Sequence, residues 1–214
     1  KNIMDELEKR ILSSIILIPI AIFFIIKGSF FFLFFLSFLF ITTIYEWMKL
    51  SKDNIIMKFL GIFFLIFSFY SAYYIRENKG LYFFIFIILI CIFTDIGGYI
   101  FGRIFKGPKL TKISPNKTYS GSIGGFLFSL VTGFFFLRYT KSNFLGDESL
   151  IIILSILSMS LISQIGDLVI SYFKRKVNLK DTGKILPGHG GMLDRIDGMI
   201  FVIPLLFIFI MFIK

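Results

Sequence analysis

Seven stretches of this sequence are apolar over roughly the length that crosses a bilayer, and they leave little room for any fold but a helical membrane protein. A spanning helix needs about 20 apolar residues. The candidates fall at 11–26, 28–47, 59–75, 81–102, 119–137, 149–173 and 196–213. Hydrophobic residues make up 57% of the 214, phenylalanine alone supplies 31, and mean hydropathy is +0.88. A soluble domain of this length could not hide so much apolar surface. The expected fold class is all-α, a polytopic transmembrane helix bundle of about seven spans. Its expected division is 1–80, N-terminal helices forming an anchor and lipid-cavity part, and 81–214, a catalytic part with cytoplasmic loops at 103–118 and 174–195.

Polar connectors separate the runs, with Lys27 and Gly28 making a tight turn between the first two. The first run follows a basic N-terminus, as a signal peptide would. It lacks a small-residue cleavage site and a second span follows at once, so it is expected to be retained. With the N-terminus in the cytoplasm, only Lys27, Arg76, Lys79, Arg138, Lys141 and Lys214 fall outside; the other 17 of 23 Lys and Arg face inward. That bias is strong under the positive-inside rule. The net charge of +10 therefore points to phosphates and anionic lipid heads rather than to nucleic acid. The single cysteine, Cys91, lies in an apolar run and excludes an internal disulfide framework or a cysteine metal site. No internal repeat stands out, so the inverted-repeat design of many transporters finds no support.

Two acids interrupt apolar runs: Asp95 in ILICIFTDIGGYIFG and Asp167 in ILSMSLISQIGDLVISYF. A carboxylate in hydrocarbon costs about 2.5–3.5 kcal/mol on insertion scales, so each calls for a cation, a metal or a watery cavity. The plainer alternative is an Asp paired to a Lys of a neighbouring helix. At about 1.5 Å per residue, Asp95 lies about 12 Å from Arg103 and Asp167 about 10 Å from Lys174, both in the cytoplasmic half. Ser171 stands four residues after Asp167, on the same helix face. A carboxylate and a hydroxyl so arranged make a half-site for a hard cation such as Mg²⁺. Asp194 and Asp197 share the opening turn of the last helix, where dipole stabilisation is the alternative explanation. Three acids from two adjacent helices at one depth read as a metal site.

Between those helices lies a polar island, SYFKRKVNLKDTGKILPGHGGMLDRID (171–197), carrying the only histidine, His189. Its glycines, Gly188, Gly190 and Gly191, permit open backbone N–H groups that an anion can take, although a Gly/Pro cluster by itself is a turn. The 103–118 loop holds five basic residues and no acid. There SPNKTYSGSIGG sets Lys117 and the hydroxyls of Ser114, Thr118 and Ser120 before a glycine-rich helix start, a good anion seat. Contact with anionic headgroups is the competing reading of that loop.

The run from Ser171 to Asp197 resembles the signature of the phosphatidate cytidylyltransferase (CDP-diacylglycerol synthase) family. Ser171, Lys174-Arg175, Lys180-Asp181, Gly183, Pro187, His189-Gly190-Gly191 and Asp194-Arg195-x-Asp197 fill its fixed places. The likeness continues through Gly166-Asp167, the SPxKT element (Ser114, Pro115, Lys117, Thr118), Asp95 with Gly97 and Tyr99, and Glu46-Trp47. Ile96 departs from the usual serine, and Tyr119-Ser120 from the common Trp-Glu.

What the resemblance implies is a reaction in which CTP and phosphatidic acid give CDP-diacylglycerol and pyrophosphate with Mg²⁺, in one or two ions. It implies Asp167, Asp194 and Ser171 as metal ligands, and Asp167, Asp194, Lys174 and Arg175 as the catalytic group. Lys117, Lys174, Arg175 and Arg195 would hold phosphates of CTP or lipid, Ser114 and Thr118 would add to the substrate site, and His189, Gly190 and Gly191 would cradle the triphosphate. Asp95, Lys180, Asp181 and Asp197 would contact nucleotide or hold the basic groups. The implied partners are CTP, phosphatidic acid and membrane lipids, with a homodimer left open. The implied location is a bacterial inner membrane with the site facing the cytoplasm. The rivals are another CTP- or CDP-lipid-dependent membrane transferase and a cation-coupled transporter.

Overall fold

A computed structural model of the chain describes residues 3–52, 54–111, 113–142, 144–146, 148–183, 185 and 190–212. Among them all regular structure is helical: α1 (Ile3–Lys27), α2 (Ser29–Ser51), α3 (Ile55–Asn78), α4 (Leu81–Phe105), α5 (Tyr119–Thr140), α6 (Ser149–Lys176), the short α7 (Leu193–Ile196) and α8 (Met199–Phe212). Five of them, α2 to α6, are long and apolar enough to cross a membrane, and Ile15–Lys27 and Met199–Phe212 are shorter apolar helices. Large apolar side chains such as Phe30, Phe59, Phe63 and Phe135 are exposed. Such faces suit lipid, and the fold is that of a polytopic helical membrane protein. The chain divides into two compact units, Lys1–Leu81 with Phe173–Ile196, and Tyr82–Tyr172 with Asp197–Lys214.

In the first unit α2 packs on α1, α3 and α7. The turn between α1 and α2 is the single residue Gly28, at φ 66. Two charged residues at the end of α3 satisfy the backbone groups that this turn frees. Arg76 donates from Nε to Ile25 O (2.7 Å) and from Nη2 to Ile26 O (3.0 Å), and Glu77 Oε1 accepts from Ser29 N (2.8 Å). A side chain at position 28 would meet Arg76 Nη2 at 2.8 Å. Backbone at φ 66 and ψ −164 is essentially a glycine conformation and costs an L-residue about 1–3 kcal/mol, so Gly28→Ala is expected to destabilise the first unit by at least that much. Thermal unfolding in detergent reads it directly.

In the second unit α4 and α5 meet through small residues. Gly97, Gly98 and Gly102 of α4 face Gly121 and Gly124 of α5 so closely that a methyl group at Gly97 or Gly124 would run into the other helix. Small-residue seams let backbones approach where water gives no hydrophobic drive. Behind the seam, Thr94 Oγ1 donates to Ser160 Oγ (2.9 Å), linking α4 to α6.

The last expected span, 196–213, is interrupted. α7 stops at Ile196, and α8 begins at Met199. Asp197 Oδ1 accepts from Gly198 N (2.9 Å), so a side chain takes a backbone donor that a continuous helix would use. Gly198 also lies so close to Ser163 of α6 that no larger residue fits.

Candidate active site

The second unit gathers one cluster. After α4 the chain folds back on itself: Leu110 N donates to Lys117 O (2.8 Å) and Tyr119 N to Pro108 O (3.2 Å). The tip is the turn Ser114-Pro115-Asn116-Lys117, closed by Lys117 N to Ser114 O (3.0 Å). Serine first, proline second and asparagine third suit a β-turn. Thr118 then caps α5, its Oγ1 accepting from Gly121 N (3.1 Å). This brings the Lys117 ammonium into an ion pair with Asp167 Oδ2 on α6. Ser171 Oγ, one turn on, donates to Asp167 Oδ1 (3.2 Å). Asp95, Ser114, Lys117, Thr118, Gln164 and Asp167 all line a cavity of about 300 Å³. Lys117 and Asp167 are each about a quarter exposed (26% and 27%), as groups must be if a solute is to reach them.

The first unit holds a second cluster. The end of α6 is closed by a Schellman motif: Leu179 N donates to Lys174 O (2.9 Å) and Asn178 N to Arg175 O (3.1 Å), with Asn178 at φ 56. Exposed Arg175 adds a bond from Nη1 to Leu179 O (3.3 Å). Lys174 is buried, and its Nζ donates to Asp194 Oδ1 (2.7 Å). Asp194 Oδ2 accepts from Thr182 N (2.8 Å), Thr182 Oγ1 (3.0 Å) and Gly191 N (3.1 Å). Gly191 therefore gives its N–H to a carboxylate of this chain. Gly190, at φ 88, lies against Asp181 and Asp194. Lys180, Asp181 and Arg195 are exposed, whereas Asp197 is buried and belongs to the second unit. His189, with Lys184 and Pro187, lies outside the described residues.

Each acid singled out as a metal ligand has a lysine partner, so the plainer alternative, Asp paired to Lys, holds for Asp167. Among the described residues no three His, Cys, Asp or Glu side chains converge as a ready-made cage. Asp167 with Ser171 nonetheless offers a carboxylate and a hydroxyl on one helix face beside a cavity. That is the oxygen donor set Mg²⁺ takes when waters and phosphate oxygens complete its shell. The residues fit the ion.

Glu46, Thr182 and Gln164 are functional-site residues to which the sequence alone assigns no role. Glu46 is wholly buried in the first unit, its carboxylate accepting from Thr182, Met192 and Leu193. The signal was available, because Glu46 is an acid inside an expected span (28–47) just as Asp95 and Asp167 are. Gln164 joins α5 and α6, its Oε1 accepting from Ser122 Oγ.

Against known proteins, the model of the Cytidylyltransferase family matches residues 50–213, which takes in both clusters except Glu46. The chain belongs to the cytidylyltransferase family. Three curated relatives carry the name phosphatidate cytidylyltransferase. The one from Staphylococcus haemolyticus is 42% identical over 151 residues, 70% of this chain and 55% of the relative. The one from Staphylococcus saprophyticus is 46% identical over 134 residues, 62% of this chain and 50% of the relative. That of Staphylococcus aureus strain COL is 42% identical over 152 residues, covering 70% and 55%. The chain thus spans about half the length of the curated relatives it matches.

Proposed function

We propose that the chain transfers the cytidylyl group of CTP to phosphatidic acid, giving CDP-diacylglycerol and pyrophosphate in phospholipid synthesis. The observation that carries the reading is the Lys117–Asp167–Ser171 constellation beside a cavity lined by α4, α5, α6 and the turn that carries Ser114 and Lys117, in a chain whose relatives bear that name. An oxygen of the lipid phosphate attacks the α-phosphorus of CTP, a new P–O bond forms, and the bond to the β-phosphate breaks to release pyrophosphate. The lipid phosphate is already an anion, so the chain's task is positioning and charge neutralisation. Mg²⁺ held by Asp167 and Ser171 would supply Lewis-acid neutralisation of phosphate charge, and Asp194 stays in this reading as a catalytic carboxylate of the first unit.

Lys117 keeps Asp167 compensated when no substrate is present and offers its ammonium to a phosphate when one enters. Ser114 and Thr118 add hydroxyls beside it. Lys174 holds Asp194, and Arg175, Lys180 and Arg195 give exposed charge for the triphosphate. His189, Gly190 and Asp181 remain nucleotide contacts in this reading. The inward bias of basic residues supports seven spans, a cytoplasmic N-terminus and a site facing the cytoplasm of a bacterial plasma membrane.

Purified chain in detergent with CTP, phosphatidate and Mg²⁺ is expected to form CDP-diacylglycerol, read by lipid mass spectrometry. A folded preparation that forms none overturns the proposal. Lys117→Ala is expected to act mainly on KM for CTP or phosphatidate, and an unchanged KM removes Lys117 from substrate contact.

A further inference from the structure

Glu46 sits near the end of α2, with its side chain 0% exposed. Its carboxylate takes three donors, all from a segment more than a hundred residues away. Oε2 accepts from Thr182 Oγ1 (2.8 Å) and Leu193 N (2.8 Å), and Oε1 accepts from Met192 N (2.9 Å). Gly183 and Gly191 border it so closely that a side chain at either position would strike the carboxylate, and at Gly191 the Thr182 hydroxyl as well. Two glycines of the polar island are thus explained by the room that an internal acid takes. Thr182, 1% exposed, also faces Asp194, with its N–H donating to Oδ2 (2.8 Å) and its Oγ1 3.0 Å from the same atom. A threonine hydroxyl carries one proton. It serves Glu46 or Asp194 at any instant while the backbone N–H holds Asp194 throughout.

We propose that Glu46 is a positioning residue for the cytidylyl-transfer site, acting through Thr182 on Asp194 and, through Asp194, on Lys174. No cation neutralises Glu46 directly in these contacts. Two backbone N–H groups and one hydroxyl do so, and charge-assisted bonds of that kind are strong and directional. The carboxylate therefore fixes both ends of the loop, at 182 and at 192–193, and so sets where Asp194 points. The inference rests on the reading of Asp194 as part of that site.

The test uses the full purified chain and four variants. Outer partners of a ligating carboxylate commonly govern about 10–100-fold in activity. Thr182→Val is expected to lower kcat by that factor with KM for CTP unchanged. Thr182→Ser, which keeps the hydroxyl, recovers most of the loss. Glu46→Gln turns one acceptor into a donor that faces donors, and is expected to lower kcat comparably. The double variant Glu46→Gln with Thr182→Val then loses no more than the worse single change, because both act through one link. Wild-type kcat in Thr182→Val, no rescue by serine, or losses that multiply would each overturn the proposal.

Amide hydrogen exchange supplies a readout free of the reaction. The N–H groups of Met192 and Leu193 are expected to lose protection in Glu46→Gln while the amides of α3 keep theirs. Unchanged protection overturns the pinning. Should the wild type make no CDP-diacylglycerol, the functional reading falls, and the exchange result still decides whether Glu46 holds the loop. Should Glu46→Gln not fold, the valine and serine variants at 182 decide alone.

Discussion

Asp167→Asn is expected to lower turnover by about 10²–10³-fold, the range seen when one preorganised electrostatic group is removed from a site, while leaving the fold nearly unchanged. The carboxamide keeps the shape, and its oxygen can still accept from Ser171. What disappears is the charge that pairs with Lys117 and that a divalent ion would need. With both partners about a quarter exposed, the ion pair is partly screened, and such pairs contribute less than about 1 kcal/mol. Catalysis and stability should therefore separate. Initial rates of CDP-diacylglycerol formation set beside the thermal unfolding midpoint make the check. A variant with near wild-type rates removes Asp167 from the chemistry.

At Asp194 the balance goes the other way. Lys174 and Asp194 have side chains only 11% and 9% exposed, and breaking a buried pair by removing one partner costs about 3–5 kcal/mol. Asp194→Asn can still accept from Thr182 and Gly191 with its oxygen, but its NH₂ then faces the Lys174 ammonium, donor against donor. Loss of activity is expected together with a marked fall in unfolding temperature. Adding Lys174→Met removes the stranded charge, so the double variant should recover stability without activity. If Asp194→Asn unfolds like wild type, the pair is not the buried contact described above.

Much of this architecture was legible in the sequence because apolar run length maps directly onto helices. The expected starts at 119 and 149 match α5 and α6, and the Lys27-Gly28 turn is a one-residue break held by Gly28 at positive φ. The broken last helix was not legible, since the Asp197 bond to Gly198 N–H and the contact of Gly198 with Ser163 leave no trace in hydropathy. The acids at 95 and 167 stood out because hydrocarbon penalises them. Glu46, named only for its place in the family pattern, carries no role in the sequence because it lies in the last turns of its run beside Lys49, where an acid looks like the end of a span. Its partners, Thr182, Met192 and Leu193, come from the far end of the chain, and no periodicity joins them. Gly191 reads in the sequence as part of an anion cradle, and what it and Gly183 accommodate is the carboxylate of Glu46.

The central claim is that Asp167, with Ser171 beside it, holds a divalent ion during cytidylyl transfer. Crystals of the wild-type chain soaked with Mn²⁺, under conditions where Mn²⁺ supports the reaction, give the most direct test. The account predicts an anomalous peak in contact with the Asp167 carboxylate that vanishes in Asp167→Asn. A bound, activating Mn²⁺ that touches neither Asp167 nor Ser171 would contradict it.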